Sequence, residues 1–164
     1  MIFLIGFMGS GKSTIGRELA KELNCDCLDT DQLIEEKQGM TIKEIFNQYG
    51  EHRFREIETE VLKELKGGQQ CIVMTGGGMA ERRENRELMK RNGKVIWLNC
   101  SFEETARRIA GDHARPLIRE KGMDGLKSLY ERRVPFYQDA SDFEIETVGL
   151  TIEETVEKIL TELL

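Results

Sequence analysis

At 164 residues the chain is the size of one ordinary domain. A domain of this length buries roughly 68–70% of its unfolded surface, so it folds without disulfides or a structural metal. It carries 24 Lys and Arg against 30 Asp and Glu, a formal charge of −6, which argues against non-specific binding to nucleic acid or to a membrane surface.

Short apolar runs alternate with helical periods. A strand is predicted over 2–5, then a glycine-rich turn and a helix over about 12–23. A second strand at 25–28 runs into Asp29-Thr30-Asp31, and three helical stretches follow near 31–37, 41–48 and 51–66. A strand at 71–75 leads into Gly76-Gly77-Gly78, followed by a helix near 81–92, a strand at 94–99 and a helix over 102–109. Residues 111–125 are polar, contain glycine, show no clear period and read as a loop. A helix near 125–138, a short strand at 143–147 and a helix at 152–163 complete the pattern. Strands separated by helices call for right-handed βαβ crossovers, and hence for one α/β domain whose parallel sheet is covered on both faces.

Cys25, Cys27, Cys71 and Cys100 fall in the apolar runs. The single residue between Cys25 and Cys27 suits neither a CxxC redox pair nor a zinc knuckle, so free thiols in a reducing compartment are expected. Met1-Ile2-Phe3-Leu4-Ile5 lacks the basic start and the length of a secretory signal. No apolar run approaches the ~20 residues that span a bilayer. A cytosolic, soluble protein is expected.

Gly6 to Ser13 has the spacing G-x-x-x-x-G-K-S between a predicted strand and a predicted helix, the setting that turns this pattern into a phosphate-binding loop. Its glycines let backbone N–H groups curve around an anion, and the helix N-terminus adds about half a positive charge. Lys12 is placed to reach the β- and γ-phosphates and Ser13 to ligate Mg²⁺. The N/T-K-x-D guanine reader of switch GTPases is absent. Leu65-Lys66-Gly67-Gly68-Gln69 imitates a transporter-ATPase signature but reads as a helix end and turn.

Asp29 and Asp31 lie two apart where the second strand ends, which by strand geometry puts both side chains on one side and beside the loop. Such a pair suits Mg²⁺ support through water and activation of an acceptor hydroxyl. Asp31 would equally serve as a helix N-cap. Arg55 and Glu58 are one helical turn apart, so the carboxylate can hold the guanidinium for a planar carboxylate ligand, or the two form an ordinary surface pair. Gly76, Gly77 and Gly78 allow backbone N–H groups close to a ligand. Arg115-Pro116-Leu117 sits where a lid delivers an arginine to transferring phosphate. Arg132-Arg133 is a second basic cluster, or a solvated face.

This set resembles the shikimate kinases along nearly the whole chain: the loop at 6–14, Asp-Thr-Asp at 29–31, Ile45-Phe46, Gly50-Glu51, Phe54-Arg55-x-x-Glu58, Gly-Gly-Gly at 76–78, Arg115-Pro116-Leu117 and Arg133-x-Pro135-x-Tyr137. The resemblance implies a nucleoside-monophosphate-kinase-like P-loop fold with a five-stranded parallel sheet, an acceptor-binding region about 31–60 and a lid about 111–125. It implies transfer of the ATP γ-phosphate to the 3-hydroxyl of shikimate, a step towards chorismate and the aromatic amino acids. By this resemblance Asp31 orients or deprotonates the acceptor hydroxyl, Arg55 and Arg133 clamp its carboxylate, and Gly76, Gly77 and Gly78 supply backbone donors. Phe46 and Phe54 wall the ring, Glu58 supports Arg55, and Lys12 and Arg115 neutralise the phosphoryl group. Ser13 and Asp29 hold Mg²⁺. Gly9, Ser10, Gly11 and Thr14 complete the phosphate cradle, and Arg108 stacks on adenine. A monomer is expected, with ATP and shikimate as its small-molecule partners.

Two positions depart from the family pattern. Thr147-Val148-Gly149-Leu150-Thr151-Ile152 lacks the usual basic residue and proline near the adenine, and Met74 stands where small residues are commoner. The alternatives are another small-molecule kinase of the same fold, acting on gluconate or a nucleoside monophosphate, and a silent ATP-binding regulator. Retention of Lys12, Asp31 and Arg115 favours an enzyme.

Overall fold

Along β1 (Ile2–Ile5) Phe3 and Ile5 point to one face of the sheet and Leu4 to the other, and all three are buried. A strand apolar on both sides belongs inside a parallel sheet with helices above and below. The computed structural model, which describes residues 1–110 and 116–164 (the side chains of 116–120 excepted), has that architecture. β2 (Asp26–Asp29), β3 (Cys71–Met74), β4 (Lys94–Asn99) and β5 (Phe143–Glu146) join β1 in the order β2-β3-β1-β4-β5, and every pairing is parallel.

α1 (Lys12–Glu22) and α7 (Ile152–Leu163) cover one face, where Ile15, Leu19, Val156 and Ile159 pack on Leu4, Ile72 and Ile96. α4 (Arg83–Asn92) and α6 (Pro116–Ala140) cover the other, with Met89, Leu129 and Tyr137 on Phe3, Val73 and Trp97. α2 (Thr30–Gln38) and α3 (Ile42–Glu64) hold a smaller core of Ile34, Ile45, Phe54, Ile57 and Val61. α3 breaks at Gly50 (φ 80°, ψ 172°), so the two helical stretches read at 41–48 and 51–66 are separate helices in sequence that adjoin in space. α5 (Phe102–Ile109) follows β4. All four cysteines are free thiols, and the imitation signature at 65–69 is the turn between α3 and β3.

The loop expected at 111–125 is corrected over 116–125, which belongs to α6. Proline suits a first helical position, but Gly122 (φ 63°, ψ −179°) interrupts the helix after six residues, too short a stretch for an apolar period to show. Residues 111–115, including Arg115, lie outside the described residues.

Met74 fits where it stands because Gly16 lies opposite it. A Cβ at Gly16 would stand 2.7 Å from Met74 Cγ and Sδ, so the thioether fills the space above a helix residue that has no side chain. Cys27 Sγ lies 3.8 Å from the same sulfur. Methionine suits such an irregular gap because it is unbranched and polarisable.

Candidate active site

The carboxyl ends of β1, β2 and β3 converge on a cleft of about 550 Å³, lined by the loop at 8–15, Asp29, Asp31, Gly76, Gly77 and Arg108. Gly11 caps α1 in the left-handed conformation (φ 94°), which a side chain at that position would strain. Ser10, Ser13 and Thr14 line the same cleft. Lys12 Nζ donates to the carbonyls of Gly6 (2.7 Å) and Phe7 (2.9 Å), so the ammonium is folded against its own loop.

Asp29 and Asp31 meet at the cleft, for a different reason from the one read in the sequence. β2 ends at Asp29, and Asp31 stands in the first turn of α2. Asp29 is the N-cap: its Oδ1 accepts from the N–H of Asp31 (2.9 Å) and of Gln32 (3.4 Å), an arrangement worth about 1 kcal/mol. The cap reading of Asp31 is therefore corrected, and its carboxylate is left for the cleft. Burial and the charge of Asp29 push the Asp31 carboxyl above its ordinary range, against the pull of Lys12 and Arg55.

Beside the cleft, Arg55 Nη1 donates to Glu58 Oε2 at 2.8 Å and Nη2 to exposed Glu51 at 3.3 Å. The Arg55 side chain is 13% exposed and that of Glu58 1%, so this is no surface pair. The guanidinium lies over the Phe54 ring, 5.3 Å from its centre, and a Cβ at Gly78 would overlap it. Phe54 belongs to the α2–α3 core, and the half-buried Phe46 stacks on it at 4.7 Å between ring centres. Arg133 approaches the same glycine turn from α6. Its Nη1 stands 3.3 Å from the position of a Gly77 Cβ, its guanidinium carbon is 5.8 Å from the centre of the Phe7 ring, and Tyr137 Oη donates to the Gly77 carbonyl at 2.6 Å. Arg133 is buried and Arg132 exposed, which divides the basic cluster into one interior and one solvated residue. Sequence reasoning missed Glu81, whose Oε1 accepts from Arg133 Nε at 2.7 Å. No local spacing marks an acid that pairs with an arginine in another helix.

At the far end of the cleft Arg108 Nη1 donates to the Gly9 carbonyl (3.0 Å) and Nε to Glu104 (2.9 Å). Thr147, Leu150, Thr151 and Ile152 form another part of the cleft wall. The hydroxyls of this wall are tied to backbone: Thr147 Oγ1 donates to the Asn99 carbonyl, and Thr151 Oγ1 caps α7 by accepting from the Glu154 N–H. Among the described residues no group of three His, Cys, Asp or Glu is arranged to hold a metal ion. Mg²⁺ needs no such cage, because it keeps several waters and is held by one or two carboxylates with substrate phosphates.

The family model described as shikimate kinase matches residues 8–164. The chain belongs to the shikimate kinase family. It is similar to a shikimate kinase of Bacillus cytotoxicus, 45% identical over 159 residues that cover 97% of this chain and 95% of that one. Its fold is similar to that of a solved shikimate kinase of Acinetobacter baumannii in complex with shikimate (TM-score 0.91, 39% identity, 99% of this chain and 91% of that one). A deoxyadenosine kinase of M. mycoides, at 18% identity and a TM-score of 0.63, shares the fold alone; it is covered to 98%, and this chain to 99%. Within the shikimate kinase family this chain therefore has the expected five-stranded parallel P-loop architecture, an enzyme fold that uses ATP as phosphoryl donor.

The buried ion pair of this family member gives a pH test. Burial pushes the Glu58 carboxyl up to about 7, and Arg55 opposes that only in part. A carboxyl raised in the folded state binds its proton more tightly there than in the unfolded chain. Stability therefore falls as pH rises from about 4.5 to about 7 and levels off above, by up to about 3 kcal/mol for this group. Glu58→Gln is expected to remove most of that slope. Urea midpoints measured from pH 4.5 to 8 check it, and an unchanged slope would move the titration elsewhere.

Proposed function

We propose that this chain transfers the γ-phosphate of ATP to the 3-hydroxyl of shikimate, giving shikimate 3-phosphate and ADP. One observation carries the reading: Arg55 and Arg133 converge, from α3 and α6, on the glycine turn that closes the phosphate-binding cleft, with Asp31 on the same cleft. Two guanidiniums over glycine suit a ligand with a planar carboxylate, which they grip through paired N–H donors. Glu58 Oε1 and Arg55 Nε are buried without a partner among the described residues. An unpaired buried polar atom is costly, and a polyhydroxylated acceptor offers hydroxyls to Glu58 Oε1.

In the reaction the acceptor oxygen attacks the γ-phosphorus, the bond to the β–γ bridging oxygen breaks, and the acceptor proton passes to Asp31. A carboxyl raised above its ordinary range takes that proton more readily than an exposed one. Phosphoryl transfer asks mainly for positioning and charge stabilisation. Lys12 exchanges its loop carbonyls for phosphate oxygens, and Arg115, by the family resemblance, adds a second cation. Gly9, Ser10, Gly11 and Thr14 cradle the phosphates, and Arg108 covers the base. Mg²⁺ would be held by the Ser13 hydroxyl and, through water, by Asp29; when bound it neutralises phosphate charge. Phe46 and Phe54 set the wall beside Arg55, and Gly76, Gly77 and Gly78 present backbone donors. The whole chain acts as one kinase domain, with acceptor binding at about 31–60 and a lid at about 111–125. It acts as a cytoplasmic monomer on this reading; no described helix is long and apolar enough to cross a membrane.

The test is acceptor-dependent ADP release with Mg-ATP, comparing shikimate, gluconate and AMP. Release with shikimate alone is expected. Turnover with another acceptor and none with shikimate would keep the phosphate cradle and overturn the acceptor assignment.

A further inference from the structure

Arg133 sits in the acceptor half of the site, yet its orientation is set from outside that half. Of its nitrogens, Nε is taken by Glu81 Oε1 at 2.7 Å, while Nη1 lies against Gly77. A guanidinium held by Nε through a charge-assisted hydrogen bond cannot rotate about its last bonds, so its terminal nitrogens point in a fixed direction.

Glu81 is itself anchored. It ends the short 3-10 turn Met79–Glu81 that follows the three glycines, and side chains of α4 satisfy every carbonyl of that turn. Asn85 Nδ2 donates to the Met79 carbonyl at 2.9 Å, and Arg86 Nη1 donates to those of Ala80 (2.9 Å) and Glu81 (3.0 Å). Asn85 is buried and braced by the Thr59 hydroxyl of α3 at 2.8 Å. Arg86 is fixed in turn by Asp139 and by the face of Phe136. The turn is thus clamped on α4, and it projects the Glu81 carboxylate toward α6. Exposed Arg132 Nη2 reaches the same carboxylate at 3.4 Å. Burial disfavours the Glu81 carboxylate, and Arg133, Arg55 and Arg132 outweigh that, holding its carboxyl below the ordinary range; it stays ionised throughout the neutral range.

We infer that Glu81 is a positioning residue for acceptor binding: its carboxylate holds the Arg133 guanidinium by Nε so that the terminal nitrogens face the acceptor carboxylate beside Gly77. The inference rests on reading Arg133 as a clamp for that carboxylate. It also sets the sign of the effect. Were Glu81 present only as a negative charge near the site, removing it would strengthen binding of an anionic acceptor. As a device that fixes direction, its removal weakens binding.

The experiment is a double-mutant cycle on the full chain with Mg-ATP and shikimate. Glu81→Ala is expected to raise the acceptor KM about 10- to 100-fold, the effect of one charge-assisted hydrogen bond. The kcat and the ATP KM should stay within about threefold of the parent values, because the phosphoryl-transfer end is untouched. Glu81→Gln retains an oxygen that can accept from Nε and should restore the acceptor KM to within about fivefold. In an Arg133→Ala background Glu81→Ala should add little, since its effect passes through Arg133. A lowered acceptor KM in Glu81→Ala, or the same rise with and without Arg133, overturns the inference. If Arg133→Ala raises the acceptor KM while Glu81→Ala leaves it unchanged, Glu81 loses its role and the clamp stands. If Arg133→Ala itself leaves the acceptor KM unchanged, both readings fall. Should Glu81→Ala not fold, Glu81→Asp carries the test: it keeps the charge and withdraws the acceptor oxygen by one methylene. A raised KM at unchanged kcat supports the positioning role there, and an unchanged KM refutes it.

Discussion

Asp31→Asn lowers kcat by about 10²- to 10⁴-fold, the range contributed by one positioned general base, and leaves ATP binding close to that of the parent. The side chain keeps its size and its place in the first turn of α2, because the cap that starts this helix belongs to Asp29. What changes is the capacity to take a proton. An amide also removes a negative charge from the cleft that would receive the nucleotide phosphates, so nucleotide affinity has no reason to fall. Single-turnover transfer measured beside equilibrium nucleotide binding separates the two quantities. Retention of more than about a tenth of parent activity would remove Asp31 from the base role and leave it an orienting group at most.

Arg55→Ala acts on the other substrate. Its guanidinium faces Gly78 and is held by buried Glu58 and exposed Glu51, so truncation removes a two-pronged grip and should raise the acceptor KM about 100-fold. It also strips Glu58 of its cation. Breaking a buried ion pair from one side costs about 3–5 kcal/mol when the remaining charge stays. Here the loss is smaller below pH 7, because burial already holds the Glu58 carboxyl near that value and it protonates instead. The variant is therefore expected to lose more stability at pH 8 than at pH 6. Lysine at position 55 keeps the charge and not the planar fork, and should restore little of the acceptor KM. An unchanged acceptor KM in Arg55→Ala would refute the clamp.

What the sequence discloses depends on how far apart the partners lie along the chain. The phosphate loop was readable because its spacing and its flanking strand and helix are local. Arg55 and Glu58 were readable as a pair for the same reason, but the interior position that sets this pair apart from a surface one comes from the packing of α3 beneath the glycine turn. Glu81 and Arg133 lie 52 residues apart, and only the docking of α6 on the turn brings them together. Asp31 lines the cleft, but the argument from strand alternation does not apply to it, since the helix has already begun there. The first turns of α6 were misread because a six-residue helical stretch before Gly122 is too short to display a period. Met74 became intelligible only with Gly16 opposite it, 58 positions away by number and in contact by fold.

The position of β1 in the sheet bears on how the molecule is assembled in time. Both neighbours of this strand come late: Ile2 lies against Ile72 on one side and against Lys94 on the other, whereas β2 and β5 each border a strand next to them in chain order. The strand that carries the phosphate loop precedes both of its sheet partners in the chain, and residues 6–70 separate it from the nearer of them. Closing a loop of that size is an entropic cost that must be met before any pairing rewards it. The phosphate loop thus takes its shape only once strands distant in the chain have docked on either side of β1.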